Sequence, residues 1–249
     1  MQSHSPRRRQ LLLGAGLAST GICALPGTAQ AVQAPGKPSQ TEFVNPFVGT
    51  DGTGHTFPGA VVPFGMVAPS PDNADRGWDY TSGYQFRNPS ILGFSNTHIS
   101  GAGIPELGDV LLMPRQGQAW HTGTRSFGAR KSARSEAAEP GYYTVALPTH
   151  QVRVELTASQ RVALHRYTFA QPGRVQVLVD LQHGLHFNEP HRVRQAQSSV
   201  NAAIGEIIGT VHTVAWVERQ TSFIVRFDRP AVDVALLPMP EGHKAQRYV

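Results

Sequence analysis

PGYYTVALPTHQVRVELTASQRVALHRYTFAQPGRVQVLVDL, residues 140–181, decides the fold. Val152-Arg153-Val154-Glu155-Leu156 alternates apolar with charged, which puts Val152, Val154 and Leu156 on one face of an extended strand. Tyr143 to Leu147, Val162 to Phe169 and Arg174 to Leu181 alternate in the same way. In the last of these, Val175, Val177 and Val179 face one side, and Gln176 and Leu178 the other. His165, Tyr167 and Phe169 share a face and read as structural. Pro140-Gly141 and Pro172-Gly173 are turn signals. Further along, Glu206 to Val217 and Ser222 to Phe227 repeat the pattern, with a turn expected at Glu218-Arg219-Gln220. Regular amphipathic helices are hard to find. Short strands at this spacing predict an all-β chain, a large antiparallel β-sandwich.

Upstream, residues 43–114 have a different texture. Gly, Pro, Asp, His, Trp and Tyr are packed between short apolar runs, as in loops that carry function on a rigid scaffold. Gly49-Thr50-Asp51-Gly52-Thr53-Gly54-His55 has the glycines of a phosphate loop, but no Gly-Lys-Ser/Thr follows and no helix opens after it. Asp51 and His55 are instead candidates to bond sugar hydroxyls, against a plain tight turn as the alternative. Arg76-Gly77-Trp78-Asp79-Tyr80 is the best single candidate. A sugar ring has an apolar C–H face that Trp78 can cover and a polar rim that Asp79 or Arg76 can bind. The competing reading is a core tryptophan, but a core Trp rarely sits among Arg, Asp and Gly. Asn96-Thr97-His98 adds Asn96 and His98 as further candidates, with His98 free to bond either a hydroxyl or nearby backbone. Trp120 and Trp216 lack such a setting and are assigned to the core or the domain surface. His183, His186 and His191 are interrupted by Gly184 and Pro190 at spacings that fit no regular element, so no metal site is assigned to them.

Six ordered blocks carry a family resemblance. They are Asn45-Pro46-Phe47-Val48-Gly49-Thr50, Gly54-His55-Thr56-Phe57-Pro58-Gly59-Ala60, Val62-Pro63-Phe64-Gly65-Met66, Gly77-Trp78-Asp79, Ser82-Gly83-Tyr84, and Phe94 to Gly101 running into Leu107 to Pro114. With Pro140 to Tyr143, Glu155 to Ala158 and His165 to Phe169, they resemble the N-terminal domain of glycoside hydrolase family 92, the calcium-dependent exo-α-mannosidases. The resemblance implies a galactose-mutarotase-like β-sandwich over residues 42–230 that shapes a terminal-mannose pocket. The chain departs from the family pattern at Asn96 and Gln85, where His is usual, and near Thr81, where Cys is common. Inversion needs two carboxyl groups roughly 6.5–9.5 Å apart, one protonating the leaving oxygen and one activating water. In the family these, and most calcium ligands, come from a helical barrel that follows the sandwich. No catalytic residue, metal ligand or bound calcium is therefore expected on this chain, and mannose turnover is expected to need that barrel. A stand-alone carbohydrate-binding module and an inactive gene fragment are the alternatives.

The two ends complete the reading. Arg7-Arg8-Arg9, the apolar run from Leu11 to Ala18 and Ala29-Gln30-Ala31 have the order of an export signal over residues 1–31, of twin-arginine type. That implies a periplasmic or extracellular protein with no membrane span once the signal is removed. The sole cysteine, Cys23, lies inside the signal, so no disulfide or thiolate metal site is expected. Residues 32–41 read as a flexible linker. The chain has 22 basic and 17 acidic residues, and removing the three signal arginines leaves 19 (22 − 3) against 17. With no basic stripe carrying interleaved aromatics, nucleic-acid binding is not expected. Residues 117–139, including Arg125, Arg130, Lys131 and Arg134, read as a long solvated connection. Residues 231–249 read as a tail without family character.

Overall fold

The computed structural model describes residues 39–117, 120, 126–187, 192–237 and 247–249. The export signal, most of the linker, Arg125, His191 and the middle of the tail lie outside these described residues. The strands, in order, are β1 (Ser70–Asp72), β2 (Ser90–Ile91), β3 (Gly93–Ser95), β4 (Leu111–Gln116), β5 (Ala129–Arg130), β6 (Ala137–Glu139), β7 (Tyr142–Leu147), β8 (Val152–Ala158), β9 (Ala163–Phe169), β10 (Val175–Asp180), β11 (Val193–Asn201), β12 (Glu206–Val214), β13 (Glu218–Arg226) and β14 (Arg247–Tyr248). Short 3-10 turns are the helical elements among the described residues.

These strands form a five-stranded sheet ordered β1-β3-β4-β10-β14, a four-stranded sheet β6-β7-β8-β9, a three-stranded sheet β11-β12-β13 and a β2–β5 pair. The pairings within them are antiparallel. The five-stranded sheet is buried on both faces. Leu111 and Met113 of β4 and Leu178 of β10 join Val145, Leu147, Val154 and Leu156 of β7 and β8 in one core. Leu112 of β4, Val179 of β10 and the adjoining Val110 and Leu181 turn the other way, toward Val193, Ala196, Ile207 and Val211 of β11 and β12. The expected sandwich is thus present, with a third layer, and the period of two along β10 distributes its side chains between two cores. Each fully buried Leu or Val side chain contributes about 1.5–3 kcal/mol relative to exposure.

The β7–β10 region follows the sequence reading. Val152, Val154 and Leu156 are buried and Arg153 is exposed. Ser159 and Val162 close a tight β8–β9 hairpin, with Ser159 N donating to Val162 O at 2.9 Å. Other expectations need correction. β11 was not foreseen, because VRQAQSSVN is largely polar and a register shift between Val193 and Gln195 breaks its alternation. The turn expected at residues 218–220 lies at Ala215–Val217, where Ala215 N reaches Val217 O, and Glu218 already pairs with Val214. Residues 117–139 are not simply a surface connection. Trp120 is buried in the first core, and β5 pairs with β2. Trp216, by contrast, is exposed. The end of the tail is also built in: Leu237 lies in the first core, β14 extends the central sheet beside β10, and Arg247 Nε donates to Asp180 at 2.8 Å.

Beneath the loops that precede β4 lies a buried polar junction. Asp72, at the end of β1, accepts from His98 Nε2 at 2.8 Å on one oxygen and from His183 Nε2 at 2.9 Å on the other. Gly83 packs directly on it, since a Cβ there would stand 1.9 Å from Asp72 Oδ1. Burial would raise the Asp72 pKa, but the two histidines outweigh it and hold the carboxyl far below its ordinary range. Burial would lower His183, yet Asp72 raises it, helped by the more distant Asp180 and Asp75. A histidine held high contributes stability that is complete below its ordinary value near 6.5 and lost as pH rises through the raised value. Asp72 contributes stability complete above 3.8 and lost as pH falls below it. We expect His183→Asn to lower unfolding stability in urea by about 1–3 kcal/mol at pH 5. The gap should narrow as pH is raised above 6.5; a gap that stays constant across about pH 5–9 would contradict this coupling.

Candidate functional site

Three loops converge above that junction. The first runs through Gly49 to Thr56, the second through Asp75 to Thr81, and the third through Ser100 to Gly103. The second is tied to the central sheet through the segment after β10. His186 N donates to Asp75 O at 2.8 Å, and Gly77 N donates to His186 O at 3.2 Å. Gly77 has φ +98, a conformation that side chains disfavour, and it starts the 3-10 turn Trp78–Tyr80. Thr81 closes the turn by donating to Trp78 O at 3.2 Å. The result holds Trp78 at the surface, with 50 % of its area exposed.

His55 lies against Trp78. The ring centroids are 4.4 Å apart and the planes cross at 71°, an edge-to-face contact. His55 is buried, and its φ of +54 is strained for a residue with a side chain. Its Nδ1 is 2.8 Å from Thr81 Oγ1, and its Nε2 is buried with no partner among the described residues. Its carbonyl accepts from Gly101 N at 2.6 Å, which joins the first loop to the third. Gly103 closes the group, since a Cβ there would lie 3.8 Å from Trp78 Nε1 and 3.9 Å from His55 Nε2.

The remaining candidates divide. Asp79 is exposed beside Trp78, and its carbonyl accepts from Gln85 Nε2. Gln85 Nε2 also donates to Gly52 O at 2.8 Å, so a residue noted only as a departure from the family pattern connects the first two loops. Asp51 is partly exposed and pairs with Arg87 at 2.8 Å. Arg76 is exposed, with Asp75 at 3.8 Å. Asn96 and His98 are placed in the support, not at the surface of this group. Asn96 Nδ2 donates to Val110 O at 2.7 Å, and Asn96 Oδ1 accepts from His165 Nε2 at 2.8 Å. His98 is buried between Ala68 O, at 2.7 Å, and Asp72. Both amide ends of Asn96 and both ring nitrogens of His98 are therefore engaged by protein atoms. Thr81 escaped the sequence reading as a site residue. It is 26 positions from the histidine it bonds, and no local pattern announces that pairing.

An exposed indole, a buried imidazole nitrogen and close-lying glycine backbone suit a ligand with an apolar face and a polar rim. Among the described residues, no group of three or more His, Cys, Asp or Glu is arranged to hold a metal ion.

Comparison with known proteins agrees with this fold. The model of the glycosyl hydrolase family 92 N-terminal domain matches residues 43–248, and so includes most of the segment expected to lack family character. An uncharacterized secreted glycosidase of Arthroderma benhamiae is 32 % identical over 133 residues, covering 51 % of this chain and 17 % of its own length. A family GH92 α-mannosidase from Bacteroides thetaiotaomicron, solved with mannoimidazole, superposes with TM-score 0.71 at 31 % identity, over 83 % of this chain and 29 % of that one. The GH92 glycosyl hydrolase ccman5 gives TM-score 0.67 at 26 % identity, over 78 % and 27 %. An inverting GH92 mannosidase from the same Bacteroides shares the fold, with TM-score 0.64 at 19 % identity. The chain thus spans under a third of the length of these solved relatives. With its family match from Phe43 to Tyr248, the chain belongs to glycosyl hydrolase family 92 and carries that family's N-terminal domain.

Proposed function

We propose that this chain shapes the terminal-mannose pocket of an exported α-mannosidase. Trp78 covers the apolar face of the sugar, while His55, Asp79 and Arg76 address its rim. The observation that carries this reading is the half-exposed Trp78 resting against buried His55, whose Nε2 has no partner among the described residues. Membership of the family and likeness to an α-mannosidase solved with mannoimidazole support mannose as the sugar. The signal-like N-terminus and the secreted fungal relative support export. Hydrolysis with inversion would use two carboxyl groups on either side of the glycosidic bond, supplied together with calcium ligands by a barrel domain.

One surface favours a partner domain over a free sugar-binding module. Phe64 is fully exposed at φ +58, a doubly unfavourable placement for an aromatic residue. Met66, two residues on, is also exposed and bonds through its N–H to Gln160 O at 2.7 Å in the β8–β9 turn. Exposed Val162 and Leu164 adjoin that turn. Such apolar surface is characteristic of a protein contact.

Calorimetric titration of the 249-residue chain with mannose and mannobiose tests the site. We expect weak binding that Trp78→Ala reduces by about tenfold or more, in line with loss of an aromatic platform. Equal affinity of the two proteins would remove Trp78 from the pocket. Assays on an aryl α-mannoside are expected to show no turnover by this chain alone. Calcium-dependent release of mannose by the pure chain would overturn the assignment of the chemistry to a barrel.

A further inference from the structure

His55 is fixed from several directions. Its carbonyl is held by Gly101 N at 2.6 Å, its ring edge by Trp78, and its Nδ1 by Thr81 Oγ1 at 2.8 Å. Thr81 is 1 % exposed, and His55 is its hydroxyl's hydrogen-bond partner. That leaves two ways to place the protons of a neutral imidazole. If His55 Nδ1–H donates to Thr81, the threonine hydrogen is buried without an acceptor, and the Nε2 lone pair is also unmatched. If the Thr81 hydroxyl donates to Nδ1, the hydrogen left unmatched among the described residues is Nε2–H. Each arrangement leaves one buried hydrogen without an acceptor, but the first strands the Nε2 lone pair as well, so the second arrangement is favoured.

Its consequence lies at Gly103. The position that a Cβ would take there is 3.9 Å from His55 Nε2 and 3.8 Å from Trp78 Nε1. An indole nitrogen can only donate. We propose that Thr81 is a positioning residue: its hydroxyl locks His55 as the Nε2–H tautomer, so that His55 and Trp78 present two N–H donors beside Gly103 and select an acceptor oxygen of the ligand. The ligand group that fits is a hydroxyl or ring oxygen offering lone pairs, not a group offering only hydrogens. The identity of that ligand as a sugar rests on the mannose-pocket reading; the tautomer does not.

Long-range 15N–1H correlation spectra of the histidine-labelled 249-residue chain at pH 8 read the tautomer directly. The His55 proton is expected on Nε2 in the parent chain and in Thr81→Ser. Thr81→Val should give a mixture, or the Nδ1–H form. Methyl α-mannoside, titrated against the His55 ring protons, should bind about tenfold more weakly to Thr81→Val and within about twofold of the parent to Thr81→Ser. An Nδ1–H signal in the parent chain overturns the proposal without recourse to any variant. So does a Thr81→Val protein that keeps both the Nε2–H pattern and the affinity. An Nε2–H pattern that responds to Thr81, in a parent chain to which the mannoside does not bind, would uphold the tautomer and reject the sugar reading.

Discussion

A central sheet apolar on both sides sets the terms for everything else in this molecule. Leu111, Met113 and Leu178 face one core, and Leu112 and Val179 the other. A strand with one wet face would be satisfied by a single partner sheet, whereas β4 and β10 require two. Residues far apart in sequence, in β7 and β8 on one side and β11 and β12 on the other, are brought together by this demand. Leu→Ala at such sites costs about 2–5 kcal/mol, because the walls around a deleted side chain relax only in part.

The loops around Trp78 depend on that scaffold without belonging to its apolar interior. They are held by buried and half-buried polar groups: Asp72 between two histidines, Asn96 between Val110 and His165, and Gln85 between the backbones of Gly52 and Asp79. Each of these bonds spans a gap between segments, and each buried polar atom so engaged avoids a desolvation penalty of about 1–3 kcal/mol. Such support keeps an aromatic face exposed on a rigid base, which reduces the ordering cost when a ligand arrives. The strain at His55, with its φ of +54, is carried at the same place.

Much of this was legible in the chain. Alternation in residues 140–181 gave the strands from β7 to β10, and the two faces of β10 assigned from Val177, Leu178 and Val179 are the two faces observed. The setting of Trp78 among Arg, Gly and Asp pointed to an exposed tryptophan, and it is exposed. β11 was hidden because its burial comes from neighbours rather than from a strong pattern of its own. Asn96 and His98 resembled ligand-binding residues because a polar side chain that ties two loops together looks the same in sequence as one that waits for a ligand.

Sequence by itself determined the antiparallel β class, the family blocks and the loop-rich region that contains the tryptophan, since these follow from local periodicity and short-range composition. Only the tertiary structure decided which polar residues are spent on the protein and which remain open. Hydrogen bonds between His55 and Thr81, or Asp72 and His183, join positions 26 and 111 apart, and no local pattern records which partner a buried donor will meet. Folding settles that choice because each buried polar atom must find an acceptor or donor among whatever groups packing brings within reach.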